Sequence, residues 1–160
     1  MGKTARDIMN SPVITMFPEQ NLMEAASTMV RERISTIVVV EHDGRVVGIL
    51  THTDFAARLR RLPFSQSEFV EVLSRLTSWR ELVQVYMAAR SIKIKDVMSH
   101  PVFHVATDTP VEDIARLFVR QNFHRAPVLE NDRLVGIVSR HDFLKLLLDP
   151  SLEENAEQQS

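Results

Sequence analysis

Residues 48–55 read Gly-Ile-Leu-Thr-His-Thr-Asp-Phe, and residues 136–143 read Gly-Ile-Val-Ser-Arg-His-Asp-Phe. Gly, Ile, Asp and Phe are shared, and Leu50/Val138 and Thr51/Ser139 are conservative exchanges. In both stretches an apolar run reaches a hydroxyl residue, Thr51 or Ser139, that stands three positions ahead of an aspartate, Asp54 or Asp142. A hydroxyl followed at i+3 by an acid is the spacing of a helix N-terminal capping box. Each stretch therefore reads as a strand running into a helix.

The likeness extends outward from these stretches. Residues 6–15 (RDIMNSPVIT) lie over residues 95–104 (KDVMSHPVFH), with Asp7, Met9, Pro12 and Val13 matched by Asp96, Met98, Pro101 and Val102. The two copies are 89 positions apart there and 88 apart from Gly44 onward. One extra residue in the first copy's turn accounts for the change. Such self-similarity identifies a duplicated structural unit.

Within each copy the same elements follow in the same order. A short apolar stretch (Val13–Met16, Val102–Val105) precedes an amphipathic pattern. Leu22, Ala25, Ala26, Met29 and Val30 recur at helical spacing, as do Val111, Ile114, Ala115, Phe118 and Val119. Thr109, Pro110 and Glu112 predict the start of the second of these helices, with Thr109 as its cap. Strands are expected at Thr36–Glu41 and Arg45–Leu50 around His42-Asp43-Gly44, and at Ala126–Glu130 and Arg133–Val138 around Asn131-Asp132. A helix closes each copy, with Phe55, Ala56 and Leu59 or Phe143, Leu144 and Leu147 as its apolar face. The fold class is α+β: two β-α-β-β-α units, helices on one face of each small sheet. The expected division is unit 1 over 1–62, an inserted helical hairpin over 63–91, unit 2 over 92–148 and a disordered polar tail over 149–160. Trp79 and Tyr86 in the insertion read as core or contact residues.

Composition narrows the function classes. The chain has 160 residues, 44% hydrophobic and 25% charged, which is ordinary for a folded soluble protein. A net charge of −2 argues against broad electrostatic attraction to nucleic acid or to an anionic membrane. There is no cysteine for a disulfide or thiolate site. No apolar run approaches the roughly 18 residues of a membrane span. The chain is expected to be cytoplasmic. His100 and His104 have ligand-pair spacing only on a helix, which Pro101 opposes, and neither a nucleophile elbow nor a P-loop is present. An enzyme is not expected.

Two readings of the strand-to-helix turns remain open on spacing alone. In one, Thr51 and Ser139 only cap, and Asp54 and Asp142 only complement the helix dipole. In the other, the hydroxyl holds a phosphate or ribose oxygen at the helix start, and the carboxylate one turn on accepts both hydroxyls of a ribose diol.

Each copy resembles a CBS domain (cystathionine-β-synthase motif). The matching features are the Asp-[Ile/Val]-Met-x-x-Pro-Val opening and the Gly-Ile-[Leu/Val]-[Thr/Ser]-x-x-Asp close. His124-Arg125-Ala126-Pro127-Val128 entering the second copy's strand also fits. Two in tandem look like a Bateman module, whose units pair about a pseudo-twofold axis and leave two clefts. The resemblance implies adenosine-containing ligands: AMP, ADP or ATP, less readily S-adenosylmethionine or NAD. It places Asp54 and Asp142 on the ribose, Thr51 and Ser139 on ribose or phosphate, and Val13, Ile14, Thr15 and Val102, Phe103, His104 around the adenine. It places His124, Arg125 and Arg140 against phosphates and counts Pro127 among the ligand-binding residues. The first copy has Ser35-Thr36 in place of His124-Arg125, so the two clefts are expected to differ, with the basic pair favouring a phosphorylated ligand. Clefts between units would also let Arg125 serve the site of Asp54. The implied function is a nucleotide-sensing regulatory module that forms a homodimer and acts on an unidentified protein partner; the alternative is a ligand-free structural oligomerisation module of the same fold.

Overall fold

The structure is a computed structural model that describes residues 2–59, 87 and 89–147. Nearly all of the expected helical insertion, with Trp79 and Tyr86, and the tail from Asp149 lie outside the described residues.

Two three-stranded mixed sheets are built the same way. In the first, β1 (Thr15–Met16) runs parallel to β2 (Thr36–Val40), which pairs antiparallel with β3 (Val46–Thr51). Helix α2 (Leu22–Glu32) connects β1 to β2, and α3 (His52–Leu59) follows β3. In the second, β4 (Val105–Ala106), β5 (Arg125–Glu130) and β6 (Arg133–Ser139) repeat that order, with α4 (Val111–Arg120) between β4 and β5. A short helix α1 (Ala5–Ile8) and a 3₁₀ turn (Ile94–Asp96) form the two copies' openings. The expected β-α-β-β-α order holds in both.

The turns explain the lost residue in the repeat. Asn131 and Asp132 both take positive φ, 50° and 61°, between the paired Glu130 and Arg133. That is a two-residue turn of the I′ kind, which Asn and Asp tolerate. In the first sheet Gly44 N–H donates to the Glu41 carbonyl at 2.9 Å and only Gly44 has positive φ, 87°. A three-residue loop ending on a left-handed glycine is the result.

The compact units do not follow the repeats. One, the split unit, comprises Met1–Val13 and Phe103–Ser160; the other, the continuous unit, is Ile14–Val102. The first copy's opening thus sits on the second copy's sheet. Ala5 and Arg6 N–H donate to the carbonyls of Thr109 (2.9 Å) and Thr107 (3.0 Å), and Asn10 exchanges two backbone bonds with Ile137. In the continuous unit Ile94 N–H donates to Gln20 (2.8 Å), and Ser99 exchanges two bonds with Ile49. Periodicity locates elements but carries no information about which sheet receives an opening.

Each unit has its own core. In the continuous unit Leu22, Ala25 and Met29 of α2 meet Ile37, Val39, Leu50 and Ile94. In the split unit Val111, Ile114 and Phe118 of α4 meet Ala5, Ile8, Ala126, Val128 and Val138. Each such large apolar side chain stabilises by about 1.5–3 kcal/mol. The stripes end one position earlier than their spacing predicts: Val30 and Val119, equivalent in the repeat, are 80% and 79% exposed.

Helix starts differ from expectation in one place. The Thr109 hydroxyl accepts the Ala106 N–H at 3.0 Å, inside the preceding turn, and Pro110 stands at the N-cap of α4 with no side-chain cap. A tight turn offered the hydroxyl a nearer donor than the helix did. Helix α2 instead has a full box: Asn21 Oδ1 accepts Glu24 N–H at 2.9 Å, and Glu24 Oε2 accepts Asn21 N–H at 3.1 Å. Asn21→Ala is expected to lower stability by about 1 kcal/mol. Thermal melting should then fall by about 2–4 °C for a chain of this size; an unchanged melting temperature would mean the box is solvent-compensated.

Candidate ligand site

Both repeated stretches form the same local structure. The chain leaves the last residue of β3 or β6 and turns into a helix, so the strand-end hydroxyl and the first-turn carboxylate face each other. In the continuous unit Asp54 Oδ2 accepts the Thr51 N–H at 2.6 Å and the Thr51 hydroxyl at 2.7 Å. In the split unit Asp142 Oδ2 accepts the Ser139 N–H and hydroxyl, both at 2.7 Å. In both turns the carboxylate accepts the strand-end N–H, as in a capping box, and the hydroxyl donates to the same oxygen.

Beyond this shared core the two turns differ. Asp142 is the sole buried polar or charged side chain in the described residues, at 3% exposure. Its Oδ1 accepts the Asn10 amide at 2.7 Å and the Lys145 ammonium at 3.0 Å. Lys145 Nζ also donates to the Ile8 carbonyl (2.8 Å) and Asn10 Oδ1 (2.9 Å), tying the first copy's opening to the last helix. Burial pushes the Asp142 carboxyl upward, but the bonds from Ser139, Lys145 and Asn10 outweigh it and hold the group below the usual carboxylate range. Asp54 is half-buried, and its Oδ1 accepts the Ser99 hydroxyl at a long 3.3 Å. Ser99 and Asn10 are equivalent positions of the two openings.

The sheet adds a further difference. Thr36 lies directly across from Thr51, as Arg125 does from Ser139. Directly opposed residues share one face. The Thr36 hydroxyl oxygen is buried without a hydrogen-bond partner.

The remaining candidates fall as follows. Arg140 donates from Nε to the Phe123 carbonyl (2.8 Å) and from Nη2 to the Phe118 carbonyl (3.1 Å) and Asn122 Oδ1 (3.2 Å). It closes the C-terminal end of α4, where a cation complements the helix dipole, so its guanidinium is committed away from the phosphate role expected of it. His124 is exposed, and its carbonyl accepts the Arg140 N–H at 3.0 Å. Arg125 begins β5 and is partly buried. Pro127 is fully buried in β5, so its side chain cannot touch a ligand. Phe103 stacks on Phe123 with centroids 5.2 Å apart. With exposed His104 it lines a groove of about 440 Å³ along β4 that reaches Asn131 and Asp132. Thr15 is exposed, Ile14 and Val13 are partly buried, and the Ile14 carbonyl accepts the Val38 N–H. The two presumed adenine trios are each divided between the units, Val13 from Ile14 and Val102 from Phe103. Asn10, Ser99 and Lys145 were missed by sequence reasoning. The first two stand at unspecified positions of the opening motif, whereas Lys145 has the i+3 spacing from Asp142 that signals a pair.

The CBS domain family model matches residues 5–61 and 94–149, both repeats and most of the chain. The chain belongs to the CBS domain family. This CBS pair is similar to the solved CBS domain of a CBS domain-containing membrane protein from Sphaerobacter thermophilus. The two are 36% identical, with a TM-score of 0.76, over 91% of this chain and 88% of that one. It is 27% identical to an uncharacterised protein of Methanocaldococcus jannaschii over 89% of this chain and 90% of that protein. The chloroplastic CBS domain-containing protein CBSX2 of Arabidopsis thaliana is 25% identical, over 82% of this chain and 57% of that protein's length. A structure of CBSX2 in complex with AMP shares the fold, with a TM-score of 0.68 at 22% identity. No helix among the described residues of the CBS pair is long and apolar enough to cross a membrane.

Proposed function

We propose that this CBS pair is a regulatory module that binds an adenosine nucleotide and signals to a protein partner through a ligand-dependent change of conformation. The observation that supports it most is the strand-end hydroxyl and first-turn carboxylate of Thr51 and Asp54, with one carboxylate oxygen held, among the described residues, by a single long bond from Ser99. A carboxylate oxygen has two acceptor positions, so a ribose diol finds a partner there. The AMP complex of CBSX2 concerns a distant relative of the same fold and favours the same ligand class. AMP, ADP and ATP are the leading ligands. The module acts without catalysis, nucleic acid or membrane insertion, in the cytoplasm, and as a homodimer.

Thermal shift tests the reading. A nucleotide at 100 times its Kd stabilises by about 2.7 kcal/mol. A rise in melting temperature is expected with at least one of AMP, ADP and ATP. No shift with these, S-adenosylmethionine or NADH would leave the alternative, a ligand-free oligomerisation module in which Asp54 and Asp142 serve only as caps.

A further inference from the structure

We infer that only one of the two strand-to-helix turns, that of Thr51 and Asp54, is open to the adenosine ligand, and that Lys145 is the residue that closes the other. This rests on the ligand-binding reading above and specifies which half of the chain carries it.

A carboxylate offers about four acceptor positions. Asp142 uses four: Ser139 N–H and hydroxyl on Oδ2, Asn10 amide and Lys145 ammonium on Oδ1. It is also 3% exposed. A ribose diol would have to displace a charge-assisted bond and the amide that clamps the first opening in place. Asp54 meets two donors on Oδ2 but, among the described residues, the Ser99 hydroxyl alone on Oδ1, at 3.3 Å.

The sequence encodes the difference at two positions. Asn10 is replaced by the shorter Ser99 at the offset of 89, and Lys145 by Ala57 at the offset of 88. Alanine carries no ammonium to hold a carboxylate. The His124-Arg125 pair of the second copy points the opposite way, and the occupied carboxylate overrides it. A basic pair attracts a phosphate, but it cannot free an acceptor for the ribose.

Calorimetric titration of the full chain with AMP and with 2′-deoxy-AMP tests this. Wild type is expected to bind one AMP per chain and to prefer it over the deoxy form about tenfold, the effect of one lost hydrogen bond to a charged group. Asp54→Asn should weaken AMP by at least about tenfold and erase the 2′-hydroxyl preference. Lys145→Ala should reveal a second equivalent of AMP. Lys145→Met, which keeps the apolar stem, carries the same test if the alanine variant melts too early. Two equal sites in wild type, or AMP binding unmoved by Asp54→Asn, overturns the assignment while leaving a nucleotide-binding protein. Lys145 variants that still bind one equivalent overturn the role of Lys145. Wild type that takes up no adenosine ligand removes the underlying reading itself.

Discussion

Gly136→Val is expected to destabilise the chain by about 3 kcal/mol, at the upper end for an overpacked core position. A Cβ at Gly136 would collide with the Met9 thioether sulfur and lie 2.9 Å from its Cγ and 3.1 Å from its Cβ. The conflict reaches back to the root of the side chain, so a new rotamer at the far end does not relieve it. The backbone around Met9 is fixed as well. Met9 N–H donates to the Ala5 carbonyl at 2.8 Å, and the next residue exchanges two bonds with Ile137. Retreat would break that bridge. Gly48 bears the same relation to Met98, with Cγ at 2.8 Å and Cβ at 3.2 Å. The methionine of each opening is thus seated on the glycine of the other copy's closing strand. A melting temperature lower by about 6–12 °C is the expected reading. Met9→Ala in the Gly136→Val background should recover more than half of the loss. Simple additivity of the two substitutions would show that steric conflict is not the cause.

The second large effect is expected at Asp142. Asp142→Ala leaves two Ser139 donors and the Asn10 amide without their acceptor and removes the partner of Lys145. Breaking a buried, hydrogen-bonded charge costs about 3 kcal/mol. Most of that belongs to the half-buried Ser139 donors, because Asn10 is exposed and the Lys145 side chain is 44% exposed, so that water replaces their partner. The pH dependence has a definite sign. The carboxyl of the folded chain lies below its usual value, so the unfolded chain binds the proton more readily. The stabilisation is complete above the unfolded value near about 3.9 and is lost as pH falls from there through the lower folded value. Denaturant melts between pH 6 and pH 2.5 should show wild type losing stability in that acid window and Asp142→Asn losing less. Asp7, held low by the Thr4 N–H and hydroxyl, keeps a residual slope of the same sign. Parallel curves for the two proteins would mean that Asp142 is not linked to folding.

Much of the architecture was legible in the residues because it is local. The helical spacing from Leu22 to Met29 and from Val111 to Phe118 placed the two buried faces. Asn131-Asp132 and Asp43-Gly44 placed the turns, and Thr51/Asp54 and Ser139/Asp142 placed the helix starts. What escaped depends on distance in the chain. Arg140 caps α4 because the Phe118 carbonyl happens to lie within reach of its guanidinium, 22 residues back. Asp142 is closed partly by Asn10, 132 residues away. The last helix also begins as a 3₁₀ turn, Arg140–Phe143, which rotates the following residues. Leu144, expected on the apolar face, is 50% exposed, and Leu146 packs on the core instead. The sequence set the two candidate sites apart through His124-Arg125; the difference at the carboxylates themselves rests on Asn10, far away in the chain, and on Lys145, whose i+3 spacing from Asp142 is local.

The division of the chain into a continuous and a split unit has a consequence for biosynthesis. Everything in Ile14–Val102 leaves the ribosome before the second sheet begins, so that unit has all of its strands early. Residues 2–13 precede both sheets in the chain but belong with the later one. At roughly 5–20 residues per second, Asn10 precedes Asp142 by on the order of 10 s. During that interval Ala5, Ile8 and Met9 have no core to enter. Residues 5–10 are therefore secured only after the second sheet is made, and contacts of such long sequence separation are expected to slow the closing of the split unit.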